Sequence, residues 1–227
     1  MPDTRLVWKN LKEHLRKYGA WYLVGLGITL FLVNLLWTVT TPRIPGDQSV
    51  VVMMADAYSN GELMGDIADT MLAAGRARDG KLRAVEFQSM MYTRPTQDYS
   101  GVMVLTARVA NFEGDAFLAS ADAMDALVQM GVLEPLDDYV AAGWMADRGL
   151  EPYYATVTDE DTGETTTYLA GLRLDPVDAL YSRGAFNNEG AFLAVTSYGE
   201  NIDTTMFTLE TMIDALMEEG AGEEPVP

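Results

Sequence analysis

The stretch 114-GDAFLASADAMDALVQMG-131 contains one short strand and one helix. Ala116 to Ala119 form a continuous apolar run, which is typical of a strand buried on both faces. Four apolar residues after this run share one face of a helix: Ala121, Met124, Leu127 and Val128. Gly131 can end that helix in a left-handed conformation, so the stretch predicts a strand followed directly by an amphipathic helix.

Two further strand patterns and a helix pattern precede this unit. Val50 to Met54 is another continuous apolar run and predicts the first strand, and Leu82 to Phe87 predicts the second. Between them, Asn60 is an N-cap residue type and Gly75 to Gly80 supplies a stop. The helix predicted there carries apolar residues at helical spacing: Leu63, Ile67, Met71 and Ala74.

The segment Val102 to Phe112 fits two patterns. Residues 102–105 could form a strand, because they are apolar without interruption. Four residues also share a helical face: Val102, Leu105, Val109 and Phe112. We predict a helix.

The remainder of the chain predicts a hairpin, a strand and a closing helix. Thr156 to Thr158 and Thr165 to Leu169 flank the turn residues 159–164, and Ala191 to Thr196 is a further strand. The closing helix has one apolar face, made by Met206, Leu209, Ile213 and Leu216. Such alternation of strands and helices predicts a three-layer α/β domain with a mainly parallel sheet.

The N-terminal part predicts a membrane span. No charged residue lies between Lys17 and Arg43, and about 20 helical residues reach roughly 30 Å, the thickness of the hydrocarbon core of a bilayer. Aromatic residues stand at both ends of this stretch, as they do at membrane interfaces: Tyr18, Trp21, Tyr22 and Trp37. A buried core helix and a cleavable signal peptide are the alternatives, although Thr38-Val39-Thr40 is a poor cleavage site.

The flanking charges predict the orientation. Five basic residues precede the span, whereas only Arg43 follows it closely, which places the N-terminus in the cytoplasm and the rest of the chain outside. We expect a cytoplasmic basic segment over residues 1–17, a transmembrane helix over 18–41 and a linker over 42–48. An extracytoplasmic α/β domain over 49–219 and a disordered acidic tail over 220–227 complete the chain.

Composition excludes several classes of function. The chain has 34 acidic and 15 basic residues, of which residues 1–43 hold only 2 and 6, so residues 44–227 hold 32 and 9 and carry a net charge of −23. This acidity argues against nucleic-acid binding and keeps the domain off anionic lipid. With no cysteine and one histidine, the chain lacks the residues of a disulfide, a Cys/His zinc site or a Ser–His–Asp relay. We expect no enzymatic activity, no catalytic or metal-binding residues and no cofactor.

Two motifs carry a resemblance to a known family. Residues 114-GDAFL-118 and 131-GVLEPLDDYV-140, with Leu127 between them, resemble a stretch of the first lobe of extracellular solute-binding proteins of ABC importers. The resemblance implies that the domain has the fold of one lobe of a periplasmic binding protein. Asp137 and Asp138 then open a helix near its positive end rather than contact a ligand. The match covers the first lobe only, so we expect a single lobe held by a membrane anchor.

Sheet topology predicts where a ligand would bind. In open α/β sheets ligands gather beyond the carboxyl ends of the strands, which here means Asp56, Tyr58 and Asn60 after the first strand. Ser120 and Asp122 follow the third strand in the same way. Tyr58 could stack on a sugar while Asn60 or Ser120 donates a hydrogen bond, but helix capping explains these two polar residues equally well.

These observations predict a membrane-anchored binding or accessory protein at the cell surface. We expect it to work alongside an ABC importer and to bind a small solute such as a sugar. The alternative is a structural or sensory module whose acidic face docks another protein and which binds no small molecule.

Overall fold

The computed structural model describes residues 4–40, 44–55, 61–92, 99–158, 163–184 and 190–221. The chain forms two compact units, Met1–Arg43 and Ile44–Pro227.

The first unit is a single helix, α1, over Thr4–Thr40. Its segment Arg16–Thr38 has 23 residues and is long and apolar enough to cross a membrane, a property that a signal sequence shares. Within this segment the hydroxyls of Thr29 and Thr38 donate hydrogen bonds of 2.9 Å to carbonyls one turn earlier. The helix therefore satisfies these polar groups by itself, as a hydrocarbon environment requires. The predicted apolar helix is confirmed, and its membrane insertion stays a prediction.

The second unit begins with alternating strands and helices. A short 3-10 turn covers Gly46–Gln48. The elements that follow are β1 (Ser49–Ala55), α2 (Gly61–Asp79), β2 (Ala84–Met90), α3 (Tyr99–Ala110), β3 (Ala116–Ala119) and α4 (Ala121–Met130). The last six are α5 (Asp137–Ala141), β4 (Glu151–Thr158), β5 (Thr165–Arg173), α6 (Asp178–Ser182), β6 (Phe192–Val195) and α7 (Ile202–Ala221).

The six strands form one mixed sheet in the order β2-β1-β3-β6-β5-β4. β1 is parallel to β2 and to β3, whereas β6 is antiparallel to β3 and to β5, and β5 is antiparallel to β4. The prediction of a mainly parallel sheet is therefore wrong. The hairpin makes β4 and β5 antiparallel, and the five residues of α6 reach only about 7.5 Å, too short a helix to return the chain along the nine-residue β5.

Helices cover both faces of the sheet, which confirms the predicted three layers. On one face α2 and α7 pack with β1 through buried residues that include Ile67, Met71, Leu209, Ile213, Val52 and Met54. On the other face α3 and α4 pack with β1 and β3 through Leu105, Val109, Met124, Leu127, Met53 and Phe117. Each face of the sheet thus has its own apolar core.

Most predicted elements form close to the expected positions. β3 and α4 are confirmed, and Gly131 ends α4 with a φ of 65°. The second strand lies two residues later than predicted at its start, because α2 continues through Gly75 to Asp79 and ends before Gly80, whose φ is 70°. Gly75 lies within the helix, and this position requires glycine because a Cβ there would collide with the side chain of Leu82.

The helix predicted over residues 102–112 is confirmed as α3, but the prediction that Phe112 shares its helical face is wrong. α3 ends at Ala110, and Phe112 follows in a left-handed conformation, φ 56°, with its side chain 72% exposed. The helical spacing in the sequence continues to Phe112, but the helix ends before this residue. The spacing therefore does not predict the position of the Phe112 side chain.

The two ends of the domain differ slightly from the expected limits. Part of the predicted linker is held by the domain, because the side-chain amide of Asn201 donates a 3.1 Å hydrogen bond to the carbonyl of Asp47. α7 continues to Ala221, so the first two residues of the predicted tail are helical. The rest of that tail lies outside the described residues.

The motif after Gly131 folds as its sequence predicts. Leu136 is fully buried, and Asp137 and Asp138 occupy the first turn of α5. Asp137 has a further role, because its Oδ2 accepts a 2.9 Å hydrogen bond from the backbone N–H of Leu169 in β5.

Candidate functional site

The point where the chain changes direction across the sheet lies between β1 and β3. From β1 the chain goes to β2 on one side and then to β3 on the other, so the carboxyl ends of β1 and β3 mark the position at which open α/β sheets form a ligand-binding crevice. The two ends are adjacent, because the N–H of Ser120 donates a 3.2 Å hydrogen bond to the carbonyl of Ala55. This edge, here called the carboxyl edge, is where a ligand of an open α/β sheet binds.

The predicted site residues fall into two groups. Asp56, Tyr58 and Asn60 lie outside the described residues. Ser120 directly precedes α4, and Asp122 lies in the first turn of that helix. The structure therefore brings Ser120 and Asp122 together at the carboxyl edge.

Ser120 occupies the N-cap position of α4 but does not cap the helix with its side chain. Its Oγ is buried and has no hydrogen-bond partner among the described residues. Buried hydroxyls are nearly always paired, so an unpaired one at the carboxyl edge is a group that a ligand can satisfy. Capping, the alternative explanation of Ser120, does not account for this geometry.

Aromatic residues that the sequence did not single out lie beside these two. The hydroxyl of Tyr153 in β4 donates a 2.9 Å hydrogen bond to Oδ1 of Asp125 in α4. The Tyr153 ring packs edge-on against Phe192 at the start of β6, with 4.8 Å between ring centroids. Tyr92, which follows β2, is buried, and the carboxylates of Asp122 and Asp125 act on it electrostatically. We call the six residues the carboxyl-edge cluster: Tyr92, Ser120, Asp122, Asp125, Tyr153 and Phe192.

The electrostatics of the cluster define what it can bind. Burial, and then the bond to Asp125, raises the pKa of Tyr153 to about 12, and burial together with Asp122 and Asp125 raises the pKa of Tyr92. Both phenols therefore keep their protons at neutral pH. The two carboxylates accept hydrogen bonds and repel anions, while the aromatic rings offer apolar surface to C–H groups. A neutral solute rich in hydroxyl groups matches this combination.

A basic side chain stands at the rim of the same edge. Arg173, the last residue of β5, places its guanidinium 5.8 Å from the centroid of the Phe192 ring and pairs with Asp175 at 2.7 Å. The other carboxylate oxygen of Asp175 is buried and has no hydrogen-bond partner among the described residues. Asp175 thus holds Arg173 beside the cluster.

Sequence reasoning missed Tyr153 and Phe192 because it assumed a mainly parallel sheet, and it missed Asp125 because that residue joins the site through Tyr153. In a parallel arrangement the start of β6 would lie at the opposite edge, whereas the antiparallel pairing sets Phe192 beside Ala119. The signal that could have found them was the hairpin, because it reverses the chain and carries the start of β4 to the carboxyl edge.

Metal binding finds no support in the part of the chain that is described. No group of three or more His, Asp or Glu side chains is placed there to hold a metal ion. Most of the turn 159–164, which looks like a calcium loop but departs from its spacing, lies outside the described residues.

Comparison with known proteins gives little. No protein-family model and no curated protein sequence matches the chain. Among solved structures, the ABC substrate-binding protein Lmo0181 from Listeria monocytogenes, in complex with cycloalternan, is similar with a TM-score of 0.37 and 7% sequence identity. The similarity covers 72% of this chain and 74% of that one. A likeness of this degree assigns no family to the chain.

Proposed function

We propose that the α/β domain binds a small neutral solute, such as a sugar, at the carboxyl-edge cluster. One observation carries this proposal: aromatic rings, two carboxylates and the hydroxyl of Ser120, which is unpaired among the described residues, meet at the point where the chain changes direction between β1 and β3. Ligand sites of open α/β sheets lie at this position, and a few polar groups among apolar walls are their usual composition.

The chemistry of the cluster supports binding rather than catalysis. Tyr153 and Asp125 hydrogen-bond to each other, and the elevated pKa of about 12 keeps Tyr153 protonated at neutral pH and makes it a weaker proton donor than an ordinary phenol. Asp122 and Asp125 accept hydrogen bonds from solute hydroxyls, and the repulsion between carboxylates and anions selects against phosphates and organic acids.

The proposal includes a membrane anchor and a transporter partner. The apolar segment Arg16–Thr38 with its basic N-terminal flank supports an anchor that leaves the domain outside the cytoplasm. The likeness of residues 114–140 to the first lobe of solute-binding proteins supports work alongside an ABC importer. Purification of the membrane-embedded protein with mild detergent should then recover transporter subunits, and their absence from every preparation would contradict this partner.

Solute binding is tested by isothermal titration of the full chain in nanodiscs of phosphatidylcholine. The titrants are monosaccharides, disaccharides, oligosaccharides and short peptides. We expect saturable heat with at least one sugar. Loss of a hydrogen bond to a charged group costs about 1.5–3 kcal/mol, so Asp125→Asn should weaken that binding by about tenfold or more.

A matched control removes the same charge elsewhere. Asp69 is exposed on α2, and Asp69→Asn should leave sugar binding unchanged. Absence of saturable heat from the wild-type chain with every member of the panel would contradict the proposed function. Equal sugar affinities of Asp125→Asn and Asp69→Asn would contradict it too.

A docking module for another protein is the second candidate, and the net charge of −23 on residues 44–227 favours it. It requires a protein partner whose binding weakens at high salt, together with no heat from any small molecule, since exposed charges are screened by salt.

A further inference from the structure

A separate cavity lies at the opposite, amino edge of the sheet. It has a volume of about 280 Å³ and opens beside the start of β1 and the residues that precede β3. Its walls include two aromatic rings, three carboxylates and one amide: Phe112, Tyr198, Glu113, Asp115, Glu200 and Gln88. None of these residues belongs to the carboxyl-edge cluster.

One ring of the aromatic wall is exposed and the other is half-buried. Phe112 is 72% exposed and packs edge-on against Tyr198 with 5.4 Å between ring centroids. The hydroxyl of Tyr198 donates a 2.9 Å hydrogen bond to the carbonyl of Glu113, which fixes the ring beside the cavity. The rings of Phe112 and Tyr198 therefore form an apolar surface of fixed position at the mouth of the cavity.

The carboxylates make the cavity negatively charged. Glu113 pairs with Arg108 at 2.9 Å, and Arg108 also donates to the side-chain oxygen of Gln88 at 2.8 Å. Neither Asp115 nor Glu200 has an ion-pair partner in the described ranges. Asp115 is half-buried and accepts a 2.8 Å hydrogen bond from the N–H of Val51 through one oxygen.

Burial and the nearby charge of Glu200 both raise the pKa of Asp115, although the bond from Val51 lowers it. The charge of Glu200 thus disfavours the ionised form of Asp115, and a bound cation would relieve that repulsion. A ligand that supplies positive charge between them gains from both groups.

We propose that this cavity binds a small organic amine in its ammonium form. The ammonium group donates hydrogen bonds to the carboxylates of Asp115 and Glu200, and the alkyl chain lies against the rings of Phe112 and Tyr198. The volume lies just below the usual range for ligand pockets, which suits a ligand of a few carbon atoms.

Aromatic walls distinguish an organic cation from a metal ion. A metal ion prefers several oxygen ligands and gains nothing from an apolar wall, whereas the alkyl chain of an amine packs against aromatic rings. No set of three or more carboxylate or imidazole groups suited to a metal occurs among the residues described. The net charge of −23 on residues 44–227 also draws small cations toward the domain.

The test titrates pentylamine into the full chain in phosphatidylcholine nanodiscs, with 1-pentanol as the uncharged probe of equal length. We expect saturable heat with pentylamine and none with 1-pentanol. Asp115→Asn keeps an oxygen that can accept from Val51, and it should weaken pentylamine binding by about tenfold or more. Phe112→Leu alters only an exposed ring and should weaken binding about threefold.

Asp69→Asn removes one charge from α2 and serves as the control, with unchanged affinity expected. Absence of saturable heat from the wild-type chain would overturn the proposal. Equal weakening by Asp115→Asn and Asp69→Asn would overturn it too, because it would indicate diffuse attraction to an acidic surface. If Asp115→Asn fails to fold, Phe112→Leu and Glu200→Gln decide the outcome. Sugar titrations report on the other edge of the sheet, so the two proposals stand or fall separately.

Discussion

At the scale of single residues, Tyr153 links the cluster to the pH dependence of folding. Its pKa is about 12 in the folded protein, against an ordinary value of 10.0. The folded state therefore holds this proton more tightly than the unfolded state. The stabilisation is complete below pH 10 and is lost as the pH rises through about 12.

We expect the free energy of unfolding of the wild-type chain to fall more steeply between pH 10 and about 12 than that of Tyr153→Phe. Urea unfolding at a series of pH values measures this slope. Tyr154→Phe is the control, because Tyr154 is the next residue and is 58% exposed. Equal slopes for Tyr153→Phe and the wild type would contradict the burial of the Tyr153 hydroxyl.

Gly171 is a residue whose lack of a side chain is required by packing. A Cβ at this position would lie 2.6 Å from the carbonyl oxygen of Leu193 and 2.8 Å from Cε of Met124. Gly171→Ala should destabilise the domain by about 1–3 kcal/mol, which thermal or urea unfolding measures. Gly65→Ala is the matched control, since nothing lies within 4 Å of a Cβ added at this position. Because Gly65 lies in the α2 helix, this substitution should stabilise the domain by about 0.5–1 kcal/mol. A stable Gly171→Ala variant would argue against the close approach of β5 and β6.

At the scale of elements, Asp137 joins α5 to β5. Asp137→Ala leaves the N–H of Leu169 without its acceptor, and we expect a loss of about 1–3 kcal/mol in unfolding free energy. Asp137→Asn keeps an acceptor oxygen and should lose less. Asp138→Ala removes the neighbouring first-turn charge and should cost only about 0.3–1 kcal/mol. Equal losses of unfolding free energy for Asp137→Ala and Asp138→Ala would indicate that Asp137 acts only as a helix-opening residue.

Local sequence pattern predicts the positions of helices and strands well, but it predicts the direction of the strands poorly. The helical spacing in α4 and α7 and the apolar runs of β1 and β3 are properties of neighbouring residues, so the sequence reveals them directly. The four apolar residues of β6 look the same in either direction. Their antiparallel pairing depends on β3 and β5, which lie far away in the chain.

The residues of the candidate site likewise fall into those that local sequence pattern predicts and those that it does not. Ser120 and Asp122 could be predicted because they directly follow a recognisable strand. Tyr153 and Phe192 could not, since they join the site only through strand pairings between distant segments. Exposure of Phe112 was also beyond local pattern, because it depends on where α3 ends.

At the scale of the whole molecule, the chain's lack of cysteine makes its topology directly testable. In intact cells a membrane-impermeant maleimide should label Asp69→Cys on the α/β domain. Lys9→Cys in the N-terminal segment should react only after the membrane is permeabilised. If Lys9→Cys is missing from the mature chain, the helix is a cleaved signal sequence, and protection of Asp69→Cys would contradict the external location of the domain.

The central claim is that a sugar binds at the carboxyl edge of the sheet, and methyl NMR of the 14 methionines tests it most directly. Met90 ends β2 and Met124 packs beneath Gly171, whereas Met71 and Met212 belong to the core on the other face. When the sugar panel is added to the full chain in micelles, we expect the methyl signals of Met90 and Met124 to shift with saturation while those of Met71 and Met212 stay. Shifts confined to Met71 and Met212, or none with any sugar, would contradict the claim.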